Sequence, residues 1–381
     1  MVGIAAEKKI NALTFVRFLA ALIVVFFHFG QKTWLARVAS PLITSGPQMV
    51  SLFFVLSGFV LTISHFHREK ENPLDFYVAR LARIFPAYFI ALILSYLFFN
   101  TNSLVNGPLG LVLSLTFLQS WIPRFPLTLN SPGWSLSIEV FFYLTFPFIL
   151  FWIKKRKASW KTVLVTSIVF YLVTQVILTY FLNSKFYGGE PSISYDLIYY
   201  FPLSHLSSFI LGIAGGLYYL SNPASSQQPG IFPLVFLIGT LGLNYFLLQY
   251  PQVLNGLTGL LFPFRSSFYA PFFLSLILAL AFSKNALINL ISRPLLVLLG
   301  EASYSLYILQ LPVYSLYTTI LTKLFHGLIL VELNIQFYVY LLILVGLSIL
   351  SFLYIEKPCK KWILKLYSRV TIKPTNEIPE Q

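Results

Sequence analysis

Apolar segments close to 20 residues long recur along almost the whole of this chain, and that recurrence decides most of what it can fold into. A hydrocarbon core of about 30 Å is crossed by roughly 20 helical residues, and inside it every backbone N–H and C=O must be paired within its own segment. Soluble domains show shorter apolar runs broken by polar faces. Ten such segments are read here, near 12–30, 48–66, 86–100, 133–153, 162–182, 201–220, 231–249, 267–283, 296–320 and 335–354. The stretch 109–122 is apolar but short, and is expected to be re-entrant or interfacial. The expectation is an all-α polytopic membrane protein of about ten transmembrane helices. It would form one domain over 1–370, with a disordered tail over 371–381.

Charged residues make up 10% of the 381, against roughly 25% in an average soluble chain. A net charge of +14 therefore reads as topology rather than as a nucleic-acid footprint. With a cytoplasmic N-terminus, most of the 26 Lys and Arg fall in cytoplasmic segments, notably Arg68–Arg83 and Lys154-Lys-Arg-Lys157. Making 109–122 a full span would move most of them outside, against the positive-inside rule. Both termini are accordingly expected inside. Lys8 and Lys9 precede a full-length span with no clear small-residue cleavage site, so the first span is expected to be retained as an anchor. The single Cys359 permits no intrachain disulfide, and no Cys/His cluster suggests zinc, so no metal is expected. Residues 183–200 read as a polar outer loop and Ser221–Gly230 as a flexible link. No internal repeat is evident, which weakens a transporter built from repeated halves.

Ionisable residues inside a membrane span are costly and mark function by default. Arg17 and His28 share the first span, eleven positions apart. Eleven helical steps turn through about 1100°, so both project from one face, roughly 16 Å apart along the axis. Neutral imidazole accepts protons near pH 7, which suits His28 to a general base or an acyl carrier. The plainer alternatives are an interfacial histidine satisfied by a backbone carbonyl, and an Arg17 that snorkels to the inner surface. Glu139, in Gly133-Trp-Ser-Leu-Ser-Ile-Glu139, reaches a depth similar to that of His28 and is expected to orient its ring, unless it only bonds neighbouring hydroxyls. Arg80 and Arg83 are adjacent on one helix face at the inner surface, where paired guanidiniums grip phosphates, whether of a substrate or of lipid. Ser57-Gly58 interrupts a bulky span, for helix packing or for close approach of a substrate. Ser303, Tyr307 and Gln310 form a polar stripe beside Tyr304, consistent with a cavity lining, and Trp134 heads the Glu139 segment. Glu356 is expected to pair with a basic loop in a structural role.

Taken in order, these motifs resemble the acyltransferase-3 family of integral-membrane O-acyltransferases. The resemblance covers nearly the whole chain. It rests on Arg17-x10-His28, Phe53-Phe-Val-Leu-Ser-Gly-Phe59, Arg80-x-x-Arg83, Trp134-Ser-Leu-Ser-Ile-Glu139, Ser303-Tyr-Ser-Leu-Tyr307 and Glu356-Lys-Pro358. It implies a ten-span core, acyl-CoA (most simply acetyl-CoA) at the cytoplasmic face, and a hydroxyl-bearing acceptor at the outer side. It also implies donor phosphates on Arg80 and Arg83, His28 as the catalytic histidine and Glu139 as the motif glutamate. Many relatives carry His at the place of Gln310 and a second acidic residue at the place of Val140, so acid–base work here would fall on His28 and Glu139. Some relatives carry an extracytoplasmic esterase-like domain; if that domain hands the acyl group onward, this chain, ending after the core, is expected to deliver it directly.

The sequence reading is therefore a multi-pass O-acyltransferase of the bacterial inner membrane, most simply an acetyltransferase acting on an envelope or exported glycan. Membrane lipid and glycan-synthesis machinery would be its other partners. The competing classes are a transporter or flippase using Arg17, His28 and Glu139 as a path, and a non-catalytic accessory subunit of a glycan-export assembly.

Overall fold

Prolines and hydroxyl side chains set where many of the helices begin. Pro47 and Pro202 lie in the first turns of their helices, where a missing N–H costs nothing. Ser159 Oγ caps the helix that follows by accepting from the Thr162 N–H at 3.2 Å. The computed structural model describes residues 10–68, 72–98, 105–222, 231–324 and 333–371, and the described residues are helices joined by turns. The principal ones are α1 (Asn11–Phe29), α2 (Gly46–His65), α3 (Pro73–Phe98), α4 (Trp134–Lys155), α5 (Trp160–Leu182), α6 (Pro202–Ser221), α7 (Ile231–Gln249), α8 (Ala270–Phe282), α9 (Pro294–Glu301), α10 (Ser303–Leu324), α11 (Leu333–Ser351) and α12 (Lys357–Thr371).

Seven helices among the described residues are long and apolar enough to cross a membrane, or eight if α9 and α10, bent by 53° at their junction, make one span. The expected ten is corrected at two places. The reading of 267–283 as a span fails because regular helix starts only at Ala270. Ser267 takes a positive φ of 61° just before it. The 13 residues of α8 reach only about 20 Å, short of the hydrocarbon thickness. Within α7 the stretch Leu237–Gln249 is a shorter apolar helix and is not among the seven. The segment 109–122 does not cross either, being an eight-residue helix over Pro108–Leu115 and a 3-10 turn over Gln119–Trp121. The expected cytoplasmic termini, the tail over 372–381 and the link over 223–230 lie outside the described residues.

Side-chain size explains the packing. A Cβ on Gly58 of α2 would strike the Phe209 carbonyl of α6, and one on Gly212 of α6 would strike the Val55 carbonyl of α2. These small residues let the two backbones touch, as membrane helices do where hydrophobic exclusion supplies no force between them. Gly300 of α9 meets Thr14 of α1 in the same way, one turn from Arg17. Phe142 stacks on Phe209 at 4.5 Å and meets Phe54 edge-on at 5.1 Å, forming a rigid aromatic block. By contrast, Val165, Leu172, Val176 and Tyr180 of α5 are exposed, which is the pattern of a helix turned towards lipid.

α10 carries Pro312 in its interior. Proline has no N–H to give the carbonyl four residues back, that of Ile308. Buried Asn130 supplies the donor instead, its Nδ2 reaching Ile308 O at 2.9 Å.

Candidate functional site

Helical spacing gathers polar side chains onto facing surfaces. Val50, Phe53, Phe54 and Ser57 share one face of α2; Arg80 and Arg83 share one face of α3; Glu139 and Tyr143 share one face of α4. With Arg17 of α1 and Ser303, Tyr304 and Tyr307 of α10, they enclose a central cavity of about 90 Å³. Three guanidiniums and one carboxylate line it, so it favours an anion. Arg17 lies within electrostatic reach of Arg83, Glu139 and Glu356. Arg80 Nη2 donates to Nε2 of buried His65 at 2.9 Å, and its guanidinium sits 5.5 Å over the Phe76 ring. The Tyr143 hydroxyl donates to Glu139 Oε1. The Tyr304 hydroxyl donates to Ile84 O at 2.6 Å, and Ser135 Oγ donates to the Tyr307 hydroxyl at 3.0 Å.

Two larger cavities adjoin this one. The first, about 360 Å³, shares Arg17, Leu56, Val60 and Arg83 with it, and adds Ser64, Glu301, Glu356, Lys357 and Lys360. A π-helical turn over Phe352–Glu356 joins α11 to α12. Such turns frequently occur at functional sites. It ends on buried Glu356, whose Oε1 accepts from Ser305 Oγ at 2.5 Å. The residue read as a partner for a basic loop thus bonds a serine and shares a cavity wall with Arg17 and Arg83.

The other cavity, about 330 Å³, shares Val50 and Tyr307 with the central one. His28, Trp134, Tyr199, Tyr200, Glu190 and Arg265 complete much of its wall. Arg17 and His28, one helix face apart by about three turns, thus open into opposite ends of the series.

The expected His28–Glu139 pairing is not what the structure provides. His28 Nδ1 lies 2.9 Å from Gln310 Oε1, while Glu139 faces the central cavity beside Tyr143. Gln310 Nε2 donates to Tyr307 O at 2.7 Å, which fixes the amide the right way round. An amide oxygen only accepts, so Nδ1 carries the proton and Nε2 keeps its lone pair.

The structure brings Arg17, Ser57, Arg80, Arg83, Glu139, Ser303, Tyr304 and Tyr307 to the central cavity and puts His28 and Trp134 at the next one. Gln310 stands behind His28, fully buried. Gly58, read as a cavity-lining candidate, lines none of the three; its missing side chain admits Phe209 of α6 instead. Sequence reasoning passed over Tyr143, His65, Glu190 and Arg265. Tyr143, one turn after Glu139, carried the only local signal. Among the described residues no group of three or more His, Cys, Asp or Glu side chains is placed to hold a metal ion.

A family model described as an acyltransferase domain matches residues 10–355. The chain is 38% identical to the acyltransferase MdmB of Streptomyces mycarofaciens over 151 residues, 36% of this chain and 38% of MdmB. It is 23% identical to the O-acetyltransferase OatA of Staphylococcus aureus over 389 residues, covering 95% of this chain and 59% of OatA. The chain thus spans less than two thirds of the length of these curated relatives. No solved structure matches it.

Proposed function

We propose, because this chain belongs to the acyltransferase family Acyl_transf_3, that it is a multi-pass O-acyltransferase of a bacterial inner membrane. It moves an acyl group, acetyl first among the choices, from cytoplasmic acyl-CoA to a hydroxyl of an envelope or exported glycan. One observation carries the reading: the three cavities share walls and run in series from a basic mouth to a histidine. Arg17, Arg83, Lys357 and Lys360 at the first mouth suit the phosphates of a CoA thioester. Arg80 lies one cavity further in, held by His65.

His28 Nε2 then serves the transfer in one of two ways. In the direct route it takes the proton of the acceptor hydroxyl as the oxygen–carbon bond forms and the carbon–sulfur bond breaks, and the proton passes to the departing thiolate. In the covalent route Nε2 first displaces the thiolate, and the acceptor hydroxyl then displaces the imidazole, its proton going to the freed Nε2 and on to the thiolate. Guanidiniums of the central cavity line the way between the donor mouth and the His28 cavity. Glu139, bonded by Tyr143, lies within electrostatic reach of Arg17. The small central cavity disfavours the flippase alternative, since a glycan would have to pass where only a thin acyl-bearing arm fits.

The test is lipid-reconstituted protein incubated with acetyl-CoA labelled on the acetyl group and a crude envelope glycan fraction, beside His28→Ala. Label reaching the glycan only with the unaltered protein supports the reading. Failure with a panel of acyl donors and acceptors, while a control acyltransferase works in the same lipid, would return the chain to the transport class. Acyl-histidine trapped without acceptor selects the covalent route.

A further inference from the structure

We infer that the cavity holding His28 is the acceptor's seat and is shaped for one uncharged pyranose ring. The ring is held between aromatic side chains and the Glu190–Arg265 pair, with one hydroxyl turned to His28. This rests on the acyltransferase reading above and makes its acceptor specific.

Size is the first argument. About 330 Å³ stands at the small end of the roughly 300–1,000 Å³ found for small-molecule sites, which suits one sugar unit rather than a stretch of polymer. The wall composition is the second. A pyranose presents apolar C–H faces and an equator of hydroxyls, and therefore needs flat aromatic surface together with a few well-placed polar groups. Trp134, Tyr199 and Tyr200 supply the surface, while Glu190 and Arg265 supply an acceptor and a donor.

Charge is the third argument, and it selects among sugars. Arg265 Nη1 and Glu190 Oε2 are 4.0 Å apart, with about half of each side chain exposed, so both retain bonding capacity. Their charges cancel at the cavity wall. A sugar carboxylate drawn to Arg265 would also meet Glu190. Asp196, close enough to act on Glu190 electrostatically, deepens that repulsion. Hydroxyls suffer no such conflict.

Rigidity is the fourth. Arg265 Nη1 donates to the Tyr195 hydroxyl at 2.8 Å, and Tyr195 packs on Tyr199 with ring centres 4.7 Å apart. Trp134 meets Tyr200 edge-on at 5.0 Å. The turn carrying Arg265 is tied down by Ser266 Oγ to Ile198 O at 2.7 Å and by Ser208 Oγ to Ser267 Oγ at 2.8 Å. Its wall is therefore organised before any ligand arrives, which spares affinity the cost of ordering it.

The full chain in lipid nanodiscs is titrated with methyl hexosides and the matching methyl uronates, read by saturation-transfer NMR. Acceptor and acetyl-CoA KM are measured for the same protein and for Glu190→Gln and Arg265→Lys. The expected results are saturable binding of a neutral hexoside with the uronate at least about tenfold weaker. Acceptor KM should rise about tenfold in both variants, the scale of one hydrogen bond to a charged group. An unchanged acetyl-CoA KM certifies the variants' fold. Acetyl transfer to glycan with acceptor KM unmoved in both overturns the inference and leaves the acyltransferase reading standing. Hexoside binding that weakens in both variants, with no acetyl transfer to any acceptor, supports the seat and sinks that reading. Uronate binding as tight as hexoside, or no binding of either, overturns the inference.

Discussion

His28 Nδ1 donates a hydrogen bond of 2.9 Å to Gln310 Oε1, joining residues 282 positions apart in the chain. Because Gln310 is itself anchored to Tyr307 O, the imidazole is held in one tautomer by a partner that carries no charge. An amide orients the ring without adding an anion to the membrane interior, where a carboxylate would need its own compensation. His28 and the acidic residue of the site can then serve different cavities.

Gln310→Leu should lower kcat by about 10²-fold, the small end of general-base contributions, with little change in acetyl-CoA KM. Gln310→Glu keeps an acceptor for Nδ1 and should recover part of the loss. Steady-state kinetics in nanodiscs decide it; a Leu variant with unaltered kcat removes the tautomer argument.

Arg80→Lys retains the charge but gives up the planar fork and the geometry of its bond to His65. Acetyl-CoA KM should rise about tenfold, and more steeply for Arg80→Ala, with acceptor KM unaffected. Comparing acetyl-CoA with its 3′-dephospho analogue shows whether the lost contact is to the 3′-phosphate.

Tyr143→Phe deletes the hydroxyl that bonds Glu139 and leaves the buried ring in place. A carboxylate left without its donor should rearrange among the guanidiniums. The expected outcome is a kcat drop of about tenfold with an unchanged melting temperature, while Glu139→Ala loses more. Parallel thermal melts and turnover measurements separate this from simple unfolding.

Gly58→Val should damage stability before chemistry. Its side chain would drive into the Phe209 carbonyl and the Ile213 backbone nitrogen, which belong to a packed helix and cannot rotate away. Overpacking of this kind costs about 1–3 kcal/mol or more, readable as a lower melting temperature in detergent. Ser57→Ala, on the cavity side of the same turn, should melt like the unaltered protein.

Much of the central cavity was legible in the sequence because its residues sit on long apolar helices at helical spacing. Arg17 and His28 are related by the pitch of one helix, and Arg80 and Arg83 by a single turn. What escaped was whatever depends on two helices meeting. Nothing local announces that Gln310 stands behind His28, or that His65 holds Arg80. The mistaken span at 267–283 has a different cause. Ser267, Phe268 and Tyr269 read as the first residues of an apolar run, yet they form turn backbone with a positive φ at Ser267, and regular helix starts only at Ala270. The same turn, which precedes α8, brings Arg265 to the wall of the His28 cavity.

The narrow chamber between the two wider ones has a bioenergetic consequence. A passage wide enough for a sugar chain would also leak ions and dissipate the gradient on which an energised membrane depends. A waist of about 90 Å³ ringed by guanidiniums opposes the free passage of cations by its charge. In the proposed reaction the acyl group and the one proton exchanged with the thiolate pass the waist in opposite directions, so the cell decorates its exterior without opening a continuous ion path.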